Sequence, residues 1–113
     1  MIFLDTVNRS LEILLGGAIT TNQLEWVTSY VDVNQSTFAA TNAPENNGVT
    51  NNATAVTIVA APAATTTRQV KFISVHNKDT VAATITIRVN DTGTFRIVWK
   101  GTLQTLENFL FMA

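Results

Sequence analysis

The chain has 113 residues, a formal net charge of −1 and only 13% Asp, Glu, Lys and Arg, against an ordinary ~25%. That length suits a single domain, 1–113, and the missing basic stripe argues against nucleic acid as a partner. Without any cysteine, disulfide frameworks and thiolate metal sites are excluded.

The chain starts MIFLDTVNRS, a short apolar run stopped at once by Asp5. It lacks the basic and apolar regions of a signal peptide, so the expectation is a protein made in a cytoplasm. Ile2, Phe3 and Leu4 precede the first clear strand and show no core periodicity. They are read as part of an N-terminal docking segment, 1–15, or alternatively as an ordinary edge strand. The run Ile13 to Ile19 contains two glycines and falls short of the ~20 residues that a membrane span needs, so no membrane partner is expected.

About one residue in six is Thr, and Val and Ile are plentiful. Such β-branched side chains suit pleated surfaces and penalise helices. Leu11, Ile13 and Leu15 alternate before Gly16-Gly17, giving a first strand and a break. A second strand runs from Leu24 to Val33, with Trp26, Thr28 and Tyr30 on one face and Val27, Val31 and Val33 on the other. Bulk on both faces makes this strand either central or covered by a partner. Ser36 to Thr41 reads as a short third strand and Asn42 to Ala53 as a surface loop, because Asn, Gly and Pro punctuate it. Thr54 to Ala61 alternates again, and Arg68 to His76 follows, with Val70, Phe72 and Ser74 opposing Lys71, Ile73 and Val75.

The clearest pattern comes next. Ala83, Ile85, Ile87 and Val89 face one way and Thr84, Thr86 and Arg88 the other, and Asn90 to Gly93 turns the chain. Phe95, Ile97 and Trp99 are expected to continue the apolar face, opposite Thr94, Arg96, Val98 and Lys100. Together with Arg68–His76 this reads as a three-stranded meander, its Thr84, Thr86 and Arg88 side either solvated or offered to a partner. Leu103 to Met112 is a strand or one helical turn. The pattern predicts an all-β protein, an antiparallel β-sandwich of seven or eight strands, with a jelly-roll-like barrel as second choice.

Chemistry is sparse. His76 is the only histidine, and no nucleophile elbow accompanies it. A lone histidine gives none of the usual zinc spacings. Asp5, Asp79 and Asp91 sit beside Asn or Thr, and Asp32 two residues before Asn34, without forming a calcium loop, and Asx-turns explain them. Glu12, Glu25, Glu45 and Glu107 form no local pair for glycoside hydrolysis. Glycine-rich phosphate loops are missing. Trp26, Tyr30 and Trp99 are candidates for a sugar platform, with core packing the plainer use. The reading is a protein that is not an enzyme, with no catalytic residues, cofactor or metal. Low charge combined with 46% apolar residues fits a subunit held against neighbours, or a monomer solubilised by Thr and Asn.

The stretch "VAAPAATTTRQVKFISVHNKDTVAATITIRVNDTG" resembles a recurrent type of small virion structural protein of tailed bacteriophages. Its members open with a segment like "DTVNRSLEILLGGAITTNQLEWVTSYVDV", then run a Thr/Ala/Val strand ending in Ala-Pro. The similarity covers roughly residues 5 to 110. The ending "TLENFLFMA" departs from the family's "GETLQY"-like closing strand. The resemblance implies a non-enzymatic β-sandwich on the particle exterior, with capsid decoration (cement) as the leading role. Its partners would be the major capsid protein and copies of itself, often as a trimer. A tail, fibre or head–tail junction domain that binds a host-surface glycan or a virion partner is the alternative. Partner contacts are expected at Ile2, Phe3, Leu4, Thr84, Thr86 and Arg88.

Overall fold

The computed structural model describes residues 1–41 and 44–113. Nine strands occur among them: β1 (Ile2–Leu4), β2 (Arg9–Leu15), β3 (Glu25–Asn34), β4 (Glu45–Val49), β5 (Val56–Val59), β6 (Thr66–His76), β7 (Ala83–Asp91), β8 (Thr94–Leu103) and β9 (Asn108–Met112). They form two antiparallel sheets packed as a sandwich, so the first of the two expected architectures is the one found. The five-stranded sheet runs β1-β6-β3-β4, with β9 sharing with β1 the edge of β6 that β3 leaves open. The four-stranded sheet runs β5-β2-β7-β8.

Directly opposed residues of an antiparallel pair share a face, so the register sorts side chains into an inner and an outer set. Trp26, Thr28, Val70, Ile73, Val75 and Leu4 point inward from the five-stranded sheet. Leu11, Ile13, Leu15, Ile85, Ile87 and Leu103 do so from the other, and all are buried. The accessible surface of 5962 Å² matches the ~6,100 Å² expected of a folded monomer of this mass.

Three strands carry one extra residue, and each extra residue corrects a simple period-2 reading. Lys71 in β6 lies between the pairs Tyr30–Val70 and Ser29–Phe72. A bulge shifts the alternation by one, so Val70 joins Ile73 and Val75 in the core, although strict alternation sets it opposite them. Val98 does the same in β8. Trp99 pairs with Ile87 on the inner face, but Ile97 pairs with Arg88 and Phe95 with Asn90 on the outer face. The expected apolar stripe of Phe95, Ile97 and Trp99 is therefore split, and Ile97 is 62% exposed. In β5 the extra residue is Ile58, between the pairs Leu11–Val59 and Glu12–Thr57. Its carbonyl accepts a bond from Thr28 Oγ1 at 2.8 Å, which ties the two sheets together through the core.

Other expectations change too. Ser36–Thr41 is no strand: turn residues follow β3, Phe38 has φ 59°, and Ala40 makes a single bridge to Val33. The expected loop at Asn42–Ala53 contains β4, while Asn42 and Ala43 lie outside the described residues. There β4 is positioned by Trp26, because Gly48 lies so close that a Cβ would come within 2.7 Å of its Cζ2. The last segment is a strand, β9. The Asp91–Thr94 turn is the expected hairpin, with positive φ at both Thr92 (53°) and Gly93 (85°), as a type I′ turn requires.

The meander is also corrected, since β6 and β7 belong to different sheets. The chain between them crosses the sandwich on two buried polar side chains. Asn77 Nδ2 donates to the carbonyls of Val81 (3.1 Å) and Leu103 (3.0 Å), and its Oδ1 accepts from the Asp79 N–H at 2.9 Å. The Asp79 carboxylate accepts from the N–H groups of Thr20 (2.9 Å), Thr21 (2.7 Å), Asn22 (3.1 Å) and Thr80 (2.8 Å). These bonds, led by that of Thr20, pull its pKa down to about 2. Sequence reasoning assigned Asp79 to a turn. Its acceptance of four N–H groups could not be read from spacing.

Candidate interaction surface

The six residues expected to meet partners are not brought together. Ile2, Phe3 and Leu4 form β1 on the five-stranded sheet, whereas Thr84, Thr86 and Arg88 lie on β7 of the other. The two groups therefore belong to opposite sides of the sandwich. Leu4 is fully buried and Ile2 packs against the core, so these two are core side chains of an edge strand. Phe3, opposite Gln69, points outward and is 54% exposed.

On the four-stranded sheet, the outer face is largely self-satisfied. Arg88 Nε donates to Glu12 Oε1 at 2.6 Å, and Glu12 itself is buried. Asn90 Nδ2 reaches Glu12 Oε2 at 3.4 Å, and the Arg88 guanidinium lies 3.7 Å from the centroid of the Phe95 ring. Thr84 faces Thr102 and Thr86 faces Lys100. Ile97 and Val98 stay exposed on the rim strand.

The five-stranded sheet presents a different outer face. Register places Val27, Ser29, Val31 and Val33 of β3 outward, beside Ser74, Phe72, Gln69 and Thr67 of β6. Leu110 and Met112 of β9 extend the same rows, opposite Ser74 and Phe72. Val27, Val31, Val33 and Phe72 are half-buried and lie outside the core cluster. Leu110 is 57% and Met112 72% exposed. Among the described residues, the charges on this face are Glu25 and Glu45 at its margins and the bulged Lys71 in the middle of β6. This run of apolar side chains, with Phe3 at one end, is the candidate docking surface. Sequence reasoning missed Phe72, Leu110 and Met112, but the bulk on both faces of the second predicted strand was the signal for it.

The remaining chemical candidates are occupied in packing. Trp26 is buried, and its Nε1 has no hydrogen-bond partner among the described residues. Tyr30 lies under Arg68, whose guanidinium is 4.0 Å from the ring centroid. Arg68 also takes both Asp32 oxygens, at 2.8 and 3.0 Å, and the Ala60 carbonyl at 2.8 Å, closing one end of the sandwich. The hydrogen bond to Asp32 raises the Arg68 pKa above its ordinary value. Trp99 stacks on Phe109 at 4.4 Å and closes the side where β8 and β9 approach. The three rings considered for a sugar platform therefore have protein neighbours over them. His76 Nδ1 is 2.7 Å from Asn108 Oδ1 at the end of the β6–β9 ladder. Among the described residues no group of three His, Asp or Glu side chains could hold a metal ion. No helix among the described residues is long and apolar enough to cross a membrane.

Compared with known proteins, the chain matches no family model, no curated protein and no solved structure.

Proposed function

We propose that this protein is a non-enzymatic structural subunit that docks onto a larger assembly through the outer face of its five-stranded sheet. The observation that carries the reading is the apolar row of Val27, Val31, Phe72, Leu110 and Met112, with Phe3 beside it. A protein of such low charge gains free energy when that row is covered. The particular role proposed is capsid decoration in a tailed bacteriophage, on the virion exterior against the major capsid protein. The sequence resemblance supports that role, and so does the economics of a shell: many equivalent subunits let each modest contact add up.

Binding of the purified protein to capsids that lack it tests the reading directly. The wild type is expected to bind and to raise the temperature at which the shells disrupt. Val31→Lys, with its charge in the middle of the row, is expected to remain folded and to bind at least tenfold more weakly. Failure of the wild type to bind would sink the decoration role. Copy number per particle then locates the subunit: hundreds of copies mean decoration, and about a dozen mean a collar or tail ring.

A further inference from the structure

We propose that β9 is a self-association edge: two copies of this chain pair their β9 strands antiparallel about Leu110, joining two five-stranded sheets into one. Sheet edges expose unpaired N–H and C=O groups, and folded proteins protect them with charge, bulges or short strands. Here β8 carries the extra residue Val98 and the like charges Arg96 and Lys100. The β5 edge has only four residues and is bulged at Ile58, and β4 carries Glu45 and Gly48 within five residues. By contrast β9, NFLFM, has no charge, proline or glycine, and it pairs with β6 in unbroken register.

The β6–β9 ladder also determines which backbone groups remain free. Ala113 N–H donates to the Lys71 carbonyl and Asn77 N–H to the Glu107 carbonyl. Odd-numbered positions of this segment therefore bond β6, and the N–H and C=O groups of Asn108, Leu110 and Met112 point to the open edge. That set is symmetric about Leu110. With Leu110 opposite Leu110 of the second copy and Asn108 opposite Met112, every outward N–H meets an outward C=O, on the order of six hydrogen bonds. The same register sets Phe109 opposite Phe111 twice, a favourable cross-strand pair, and opposes no like charges. An edge without charge offers nothing to an acidic or basic partner, whereas it is complementary to itself. The contact is two-fold, so it is distinct from the threefold association that the sequence resemblance implies, and it stands independently of the virion reading.

Sedimentation at about 100 μM protein is expected to show a dimer for the wild type. Leu110→Pro removes an N–H that faces away from β6, a position where an edge strand tolerates proline. It is expected to be monomeric, with unchanged circular dichroism and the thermal midpoint of the wild type diluted to monomer. The cysteine-free chain allows a second, independent readout. Opposed Leu110 Cα atoms would lie about 5.5 Å apart, within disulfide reach. Leu110→Cys should therefore cross-link as a dimer on mild oxidation. Met112→Cys should not, because its two copies would lie roughly 13 Å apart. A monomeric wild type, or equal cross-linking at both positions, would overturn the proposal. An oligomer untouched by Leu110→Pro would also overturn it while leaving the docking function intact. Should the proline variant misfold, the two cysteine variants decide.

Discussion

The outer faces of the two sheets differ in what fills their middle rows. On the four-stranded sheet Glu12, Arg88 and Asn90 hold one another, Arg88 covers the Phe95 ring, and threonines occupy much of the rest. On the five-stranded sheet the corresponding rows are Val27, Val31, Val33, Phe72 and Leu110, with Glu25 and Glu45 at the margins and the bulged Lys71 between. The first face is held mainly by polar pairs made within the chain, with Phe95 and Ile97 as its exposed apolar side chains. The second sets valines, Phe72 and Leu110 among a few uncharged polar side chains, Ser29, Gln69 and Ser74, so covering it buries mainly apolar surface. The contrast is between a face knit by polar side chains and one built mainly of apolar ones.

The largest loss of stability among the substitutions named here is expected where the two sheets join. Asp79→Ala deletes the acceptor of four backbone N–H groups, and urea unfolding measures the loss. The same site sets an acid limb. The folded-state pKa is about 2 against an ordinary 3.8, so the contribution is fully present above pH ~4 and fades as pH falls towards 2. Asp79→Asn should flatten stability across that window. If its profile keeps the full acid limb, other carboxylates set it.

Next comes a pair that tests the bulge in β8. Ile87→Ala should cost about 3–4 kcal/mol, as burial in a packed core implies. Ile97→Ala, on the same predicted stripe, should stay within about 0.5 kcal/mol. Equal losses in denaturant titrations would mean that the bulge does not divide the stripe.

Glu12→Ala should cost about 2 kcal/mol, because Arg88 is left half-buried without its carboxylate. Val31→Thr on the other face is expected to change stability least, within about 0.5 kcal/mol, while weakening capsid binding several-fold. If Glu12→Ala proves neutral and Val31→Thr costly, the two faces have been assigned the wrong way round.

Much of the fold was legible because alternation is a local property. The runs around Leu11–Leu15, Trp26–Val33 and Ala83–Val89 announce strands directly, and Gly93 marks its hairpin. The candidate surface was half legible. Val27, Val31 and Val33 showed a strand with two apolar faces, and Phe3 was expected, together with Ile2 and Leu4, to meet a partner. Leu110 and Met112 were not, because NFLFM carries no period until β6 fixes its register. Leu4 was misplaced for a related reason. Three residues are too few for a periodic signal, and only the pairing with Arg68 to Val70 turns Leu4 inward.

By itself the sequence determined the β class, the tight hairpin at Thr92-Gly93 and a chain poor in charge and free of cysteine. These follow from side-chain branching, positive-φ tolerance and composition, which need no partner segment. Tertiary structure decided the rest. The bulges at Ile58, Lys71 and Val98 chose which side of each strand faces the core, the buried Asn77–Asp79 join sent β6 and β7 to different sheets, and the pairing of β9 with β6 completed the apolar face. Each depends on bonds between residues far apart in the chain, and a local period cannot encode them.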